Sequence, residues 1–395
     1  MYASLYYMFA DLFGVHWEWL KMVQMFGCMV AIAYLTASYV FSKELQRKER
    51  DGLIHPFTKK VFIGEKASIY QLLEAFIVTF IIGYKLVYIA LNFTDFTNDT
   101  QGAILSLKGN ILGGLILGII YTYMRYREKE KQRLPEPKLV DETVHPYQLT
   151  GNVTLISAGA GLLGAKLFDG LENFSDFIKH PVEYLFSFSG LTVYGGLIVG
   201  SISVLYYIKK KGMSLLHFMD AAAPAMMIGY SVGRIGCQMA GDGDWGIANL
   251  APKPGWMSFL PDWMWSFNYP HNVIGNTLPS DQVVSIPGCV EKYCLMLKYP
   301  VFPTPFYETV MCAILFFIMW RLRKKITAPG VMFSIYLAMN GVERFLIELI
   351  RVNVKYDIFG FKITQAQIIS PIFFLLGIFG IYYFNKRAKN AIATE

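Results

Sequence analysis

The chain has 395 residues, 54% of them hydrophobic and 16% charged, with 36 lysines and arginines against 29 aspartates and glutamates for a formal charge of +7. A soluble globular protein carries roughly a quarter charged residues, and the deficit here is arranged in blocks, apolar runs alternating with short polar clusters. This pattern excludes a soluble enzyme, and because the basic residues stand at the ends of apolar runs it also excludes a nucleic-acid partner.

The N-terminal segment from Met1 to Trp19 is aromatic and lacks the basic region and small-residue cleavage site of a signal peptide. Nine apolar runs follow, at 21–42, 70–92, 104–124, 149–169, 190–208, 214–235, 304–320, 329–349 and 365–385. Runs near 20 residues match the thickness of a bilayer. They predict an all-α polytopic membrane protein of about nine transmembrane helices, one integral membrane domain over 1–395. The segments after the odd-numbered runs are basic: Lys43 to Arg50, Arg125 to Arg133, Lys209 to Lys211, Arg321 to Lys325, and Lys386-Arg387. The alternate connections are poor in Lys and Arg; residues 93–103 have none, and the loop 237–303 has only Lys253, Lys292 and Lys298. Positive charge marks the cytoplasmic side, so the N-terminus is predicted outside and the C-terminus in the cytoplasm. The loop 237–303 then faces an oxidising compartment, where Cys289 and Cys294 are near enough in sequence to bridge across a tight turn.

An internal repeat runs through the first half. Gly83-Tyr-Lys85-Leu, ending in Asn92-Phe-Thr-Asp-Phe96, matches Gly164-Ala-Lys166-Leu, ending in Asn173-Phe-Ser-Asp-Phe177. Gly113-Gly-Leu-Ile-Leu-Gly118 matches Gly195-Gly-Leu-Ile-Val-Gly200. A two-helix hairpin is therefore read twice in one orientation, over 70–125 and 147–208. The copies differ where Leu112 stands in the place of Tyr194, so the second is read as the working copy and the first as support.

Depth ranks the polar groups. Helix rise puts Arg234 roughly 35 Å beyond the cytoplasmic Lys211, and Arg344 roughly 21 Å beyond the turn at Gly330. Tyr194 follows soon after its chain re-enters from outside. Three helices thus carry polar groups to one level near the outer face. In the eighth run Arg344, Glu348 and Arg351 are spaced i, i+4, i+7 and share a predicted helix face with Asn340 one turn earlier. That face reads either as a ladder of internal ion pairs or as an anion site shaped by carboxylates. Arg234 has no carboxylate within one turn and needs an external anion or a partner on another helix. Charge at membrane depth is costly, and guanidinium forks suit phosphate, so the two arginines read as recognition of a phospholipid phosphate.

Bland readings stand beside these. Tyr194 fits an interfacial aromatic belt, and Gly195-Gly196 fits either close substrate approach or helix packing. Glu308, entering the seventh run, is an interfacial cap or a partner for an arginine. Cys237 reads as a small packing residue, because no histidine lies in its loop before His271. The six histidines are scattered and no cofactor motif is present, so no metal and no cofactor are predicted.

The stretch Gly233-Arg234-Ile235-Gly236-Cys237 through Asp242-Gly243-Asp244-Trp245-Gly246 closely resembles the signature of the bacterial prolipoprotein diacylglyceryl transferases. Gly190-Leu-Thr-Val-Tyr194-Gly195-Gly196-Leu resembles the family's histidine-glycine-glycine stretch. Pro303 to Glu308 resembles its proline-to-Tyr-Glu helix entry, and Arg344-Phe-Leu-Ile-Glu348-Leu-Ile-Arg351 its second arginine helix. The resemblance implies a bacterial inner-membrane transferase that passes the diacylglyceryl group of phosphatidylglycerol to the lipobox cysteine of prolipoproteins and releases glycerol phosphate. It implies Tyr194, Arg344, Glu348 and Asp242 as catalytic groups, and Arg234, Gly195, Gly196, Asn340 and Glu308 as substrate-binding ones, with membrane lipids around them.

The chain departs from the family pattern at several of these places. Tyr194 replaces a histidine, Cys237 an asparagine and Asn340 a tyrosine. The signature is one residue longer, so either Asp242 or Asp244 replaces its glutamate. A tyrosine with a pKa near 10 is a poor base at neutral pH. The rival class is a transporter or lipid flippase, which internal repeats and intramembrane charges also suit. Against it stand a same-direction repeat and site charges gathered toward one face.

Overall fold

The computed structural model describes residues 1–93, 96, 106–179, 181, 192–290, 292–353, 356–358 and 361–393. Gly190 and Leu191 of the tyrosine-glycine-glycine stretch, and Thr94 and Asp95 of the repeat, lie outside them. The protein is predominantly helical. Its helices are α1 (Leu5–Phe13), α2 (Met25–Arg50), α3 (Ile69–Leu91), α4 (Ile111–Lys131), α5 (Thr150–Glu172), the short α6 (Phe174–Lys179), α7 (Val193–Lys210), α8 (Leu215–Ala240), α9 (Thr304–Leu322), α10 (Val331–Glu348) and α11 (Gln365–Ala393). Among the described residues, a helix overlaps each of the nine apolar runs. Five helical stretches are long and apolar enough to cross a membrane by length and composition: Met25–Arg50, Ile69–Leu91, Pro146–Glu172, Thr304–Leu322 and Gln365–Asn390. Among those outside the five are α8 and α10, which carry Asp220, Arg234, Glu343, Arg344 and Glu348.

The chain divides into two compact units. One comprises Met1–Ile54, Leu149–Thr154 and Leu205–Glu395. In it α2 lies along α8, with Phe41 set edge-on to Phe218 at 4.9 Å. A Cβ at Gly236 would stand 2.9 Å from Met29 Cβ, so small residues set how closely these two helices approach. The antiparallel pair α10 and α11 is closer still. A Cβ on Gly377 would lie 2.7 Å from Ser334 O, and one on Gly341 would lie 2.6 Å from Ser370 O. Ser231 of α8 donates to Thr309 O of α9 at 2.8 Å.

The start of α10 is fixed from α8. Asp220 accepts from the backbone N–H of Gly330 at 2.8 Å and of Phe333 at 2.9 Å, satisfying donors that a helix start leaves unpaired. Arg234 stands 14 residues after Asp220, and Arg344 stands 14 residues after Gly330. Both intervals are about 21 Å of helix, so a cap at one end sets the two arginines level at the other.

The same end holds charges of the basic segment that follows the first apolar run. α2 runs to Arg50, and Glu44, Arg47 and Lys48 are buried. Glu44 takes Arg47 at 2.6 Å and Arg323 at 3.0 Å, while Lys48 stands 3.9 Å from Asp220. The charges are buried because they are paired.

The second unit, His55–Gln148 with Leu155–Val204, holds a ribbon the helical reading missed. Strand β1 (Phe57–Ile63) pairs antiparallel with β2 (Lys138–Val144), with Lys59 opposite Glu142 and Lys60 opposite Asp141. Opposite charges across strands favour that register. Two further ribbons are short: β3 (Val283–Ser285) with β4 (Leu295–Leu297), and β5 (Tyr356–Ile358) with β6 (Phe361–Ile363).

Corresponding positions make corresponding contacts in the two hairpins of this unit. Gly83 meets Gly113 O, as Gly164 meets Gly195 O; Gly113 meets Val87, as Gly195 meets Phe168. Asn110 N–H donates to Tyr84 O at 2.9 Å, and Thr192 N–H to Ala165 O at 3.2 Å. Leu112 is 69% exposed on the outer face of α4, so truncating it empties no core.

Replacing Asp220 with alanine removes the cap of α10 and leaves Lys48 buried without its counter-charge. We expect a loss of about 3–5 kcal/mol, as for other broken buried pairs, with asparagine costing less because it still accepts from the helix start. Unfolding of the full chain in detergent measures both.

Candidate active site

α8 ends at Ala240, and Gly241 closes it in the left-handed region at φ 63°. A Cβ there would lie 2.8 Å from Asn272 Cβ, so both the backbone conformation and the space call for glycine. The turn sends the signature loop back over the helix end. Arg234, on the last turns of α8, is buried, with its guanidinium over the Tyr230 ring at 5.8 Å.

Its partners come from elsewhere in the chain. Arg234 Nε donates to Glu308 Oε2 and Nη1 to Asp244 Oδ2. Glu308, on α9 just beyond Pro305, has no exposed surface. Its second oxygen takes Arg344 Nη1 at 3.2 Å and Arg351 Nη1 at 3.4 Å. Arg344 Nη2 pairs with Glu348 at 2.8 Å, one turn on along α10. Arg351 Nη2 reaches the other oxygen of Asp244. Three guanidiniums and three carboxylates thus form one closed cluster, and the partner that Arg234 lacked within its own turn is supplied by α9 and the loop.

One expectation needs correction here. α10 ends at Glu348, so Arg351 does not extend the face shared by Arg344 and Glu348. It lies in extended chain, bridged antiparallel to Gly246. Ile247 N–H donates to Ile350 O at 2.8 Å, Gly246 N–H to Phe302 O at 2.8 Å, and Thr304 Oγ1 to Asp244 O at 2.7 Å. The signature loop is therefore stitched to the chain entering α9 and to the chain leaving α10. Those backbone bonds bring Asp244 and Arg351 together. A Cβ on Gly246 would lie 2.6 Å from Ile350 O, so glycine is what lets the strands meet.

Asp242 accepts from Asp244 N–H at 3.3 Å and lies within 4.8 Å of the Cys237 sulfur. Cys237 Sγ also lies 3.3 Å from Arg234 Nη1, which makes it part of the site wall as well as a packing residue. Burial works against the charge of Asp244, but Arg234 and Arg351 overcome it and hold that carboxyl below its ordinary range. Asp242 is shifted the opposite way. Burial, then the charge of Asp244, raise its carboxyl above the ordinary range. Tyr269, fully buried at φ 47°, donates to Gln238 Oε1 at 2.8 Å and packs on Trp245 at 5.0 Å.

The rest of the loop 237–303 supports this wall. Val273 N–H donates to Ala240 O at 3.1 Å, and Tyr307 Oη of α9 donates to Met264 O at 2.9 Å. Cys289 and Cys294 are bridged, with Cα atoms 5.5 Å apart, as their spacing predicts.

Arg234, Arg344, Glu348, Glu308 and Asp242 therefore come together. Asn340 does not join them; it is half-buried on α10 and makes no hydrogen bond with the cluster among the described residues. Tyr194, Gly195 and Gly196 belong to the second unit at the start of α7, where Gly195 and Gly196 lie against Gly164 and Gly161 of α5. Glu343, beside Arg344 in sequence, is buried with neither oxygen hydrogen-bonded among the described residues. Sequence reasoning left Asp244 undecided and placed Arg351 on the helical face of Arg344 and Glu348 without naming it as a site residue. The missing signal was the pairing of two loops.

The two buried glutamates predict opposite outcomes for one substitution. Glu308→Gln removes the charge three guanidiniums share and is expected to cost about 3–5 kcal/mol. Glu343→Gln removes an unpaired charge from the interior and is expected to leave stability equal or higher. Unfolding of each variant in detergent decides between the two signs.

Comparison with known proteins bears on this arrangement. The family model described as prolipoprotein diacylglyceryl transferase matches residues 141–383, which contain every member of the cluster. Among similar curated proteins are the phosphatidylglycerol–prolipoprotein diacylglyceryl transferases of Streptococcus pyogenes serotype M5 (strain Manfredo), serotype M49 (strain NZ131) and serotype M1. Each is 23% identical over 286 residues, covering 72% of this chain and 91% of the relative. With well over half of its length matched, and with the signature arginine at the centre of its ion cluster, the chain belongs to the prolipoprotein diacylglyceryl transferase family and is a transferase.

Proposed function

We propose that the protein transfers the diacylglyceryl group of phosphatidylglycerol to the thiol of a prolipoprotein lipobox cysteine and releases glycerol phosphate. The observation that carries this reading is the convergence of Arg234, Arg344 and Arg351 on Glu308 and Asp244. Three guanidiniums largely withdrawn from solvent at one end of a helical bundle, Arg234 among them buried, are rare and costly. Their forks suit the tetrahedral oxygens of a phosphate.

In the bond-changing step a thiolate attacks the glycerol carbon that bears the phosphate. The carbon–sulfur bond forms, the carbon–oxygen bond breaks, and its electron pair leaves on glycerol phosphate. The phosphate goes from a diester with one negative charge to a monoester with an additional one. Donors aimed at that oxygen, and already held in place by carboxylates, stabilise the growing charge without reorganising. Arg344 is the first to meet the lipid in this account. Its side chain is 23% exposed, against 12% for Arg351 and 9% for Arg234. Arg234 and Arg351, fixed by Glu308 and Asp244, then form the back wall. Tyr194, Asn340 and the pair Gly195-Gly196 are assigned to orienting the lipid or its peptide partner, with no proton transfer asked of them.

The topology that suits this chemistry has nine spans, the N-terminus outside and the C-terminus in the cytoplasm of a bacterial inner membrane. Two observations support it. Tyr2 N–H donates to Met239 O at the end of α8 that carries the site. The last turns of α11 lie by the other end, where a Cβ on Gly330 would stand 2.8 Å from Phe384.

Arg234→Ala is expected to lower transfer from phosphatidylglycerol to a lipobox peptide by at least 100-fold, the scale of a lost charge-stabilising donor, in protein that still folds in detergent. Arg234→Lys recovers only part of the rate, since a point charge cannot keep both Glu308 and Asp244 in place. An alanine variant as active as the parent contradicts the phosphate clamp.

A further inference from the structure

The lengthened signature carries two aspartates, and the structure gives them different surroundings. Both oxygens of Asp244 are taken by guanidiniums, those of Arg234 and Arg351. Asp242 has no lysine, arginine or histidine within ion-pair distance among the described residues. It accepts from one backbone N–H and lies within 4.8 Å of the Cys237 sulfur. Glycines on either side, Gly241 at φ 63° and Gly243 at φ 101°, let the chain turn twice and present the two carboxyls separately.

The two carboxyls are nevertheless close. Donor atoms of Cys237, Asp242 and Asp244 lie within 4.8 Å of one another. Such a triad would suit a cation, but the two guanidiniums on Asp244 already fill that role. Asp242 thus stands beside the carboxylate whose two oxygens anchor two arginines of the phosphate clamp, while keeping its own basic lone pairs out of ion pairs. A sulfur already lies beside it, since the Cys237 thiol is within 4.8 Å of its carboxyl, so the site has room for an S–H group next to Asp242.

On the reading of this chain as a diacylglyceryl transferase, which it rests upon, we infer that Asp242 is the general base for the incoming lipobox thiol, while Asp244 holds the arginines. The carboxylate of Asp242 takes the S–H proton. The sulfur lone pair then forms the bond to the glycerol carbon, the carbon–oxygen bond breaks, and the electron pair departs with glycerol phosphate. Asp242 passes its proton to the departing phosphate monoester or to water. The groups facing Asp242 are Arg234 and Cys237 from α8, Asp244 from its own loop and Tyr269 from the outer loop. Burial and the neighbouring Asp244 make Asp242 a stronger base than an ordinary aspartate, which narrows the gap to a thiol of pKa about 8.5. The sign for the rate follows: transfer falls as pH drops through the raised value and Asp242 becomes protonated.

The test uses the full chain in phosphatidylglycerol vesicles with two lipobox peptides, one with cysteine and one with selenocysteine, whose selenol is ionised at neutral pH. Asp242→Asn is expected to slow transfer to the cysteine peptide by 100-fold or more, with KM for the lipid changed less than threefold. On the selenocysteine peptide the same variant should run within threefold of the parent, since no proton remains to be removed. Asp242→Glu should recover part of the cysteine rate, and Asp242→Asn should lose the acidic limb of the pH profile. A variant equally slow with both peptides overturns the assignment, because Asp242 then shapes the site only. So does a variant that keeps at least a third of the parent rate with cysteine, while the transferase reading survives. If the parent protein modifies neither peptide, the transferase reading itself fails and the base assignment falls with it.

Discussion

One carboxylate organises this molecule. Glu308 is fully buried on the first turns of α9 and accepts from three arginines, one on α8, one on α10 and one in the chain beyond α10. Three guanidiniums brought together without it would repel one another at low dielectric. With Glu308, Asp244 and Glu348 among them, their charges balance and their donors are held in fixed directions. Such a network is no guarantee of stability, because desolvating each ion offsets much of the pairing energy. It reads more naturally as a site whose geometry is fixed before the substrate arrives.

That geometry depends on helix register. α8 and α10 are tied at their starts through Asp220 and again, about 21 Å on, through Glu308. Small residues let α2 pack on α8 and α11 on α10 at close range. The loops complete the site by backbone pairing, with Gly246 bonded to Phe302 and Ile247 to Ile350. Rigid helices therefore set the depth of Arg234 and Arg344, while stitched loops deliver Asp244 and Arg351 to them. The disulfide between Cys289 and Cys294 closes a short segment of the outer loop that covers the same end.

Much of this was legible in the sequence, and what was not has physical causes. Hydropathy located the long helices among the described residues, because apolar composition over a helix's length is a local property. Arg234, Arg344 and Glu348 stood out because charge is scarce in such runs. The partner of Arg234 was invisible, since Glu308 is 74 residues away and joins it only through helix packing. Arg351 looked helical from its i+7 spacing, yet α10 stops at Glu348 and the pairing with Gly246 claims the chain instead. The basic segment Lys43 to Arg50 gave no sign of its partners, because a charge run does not show what it pairs with. Arg323 and Asp220, which bury it, arrive from far along the chain. The choice between Asp242 and Asp244 could not be made by spacing; ion pairing separates them.

The central claim is that a buried arginine–carboxylate cluster serves breakage of the bond between glycerol and phosphate. It is tested most directly by incubating the purified protein with phosphatidylglycerol labelled in its phosphate and a lipobox peptide, then weighing the peptide and tracing the label. The account predicts a peptide heavier by one diacylglyceryl group in thioether linkage, with the label released in equal amount as glycerol phosphate. A peptide that stays unmodified, or one that gains the phosphate together with the lipid, would contradict it.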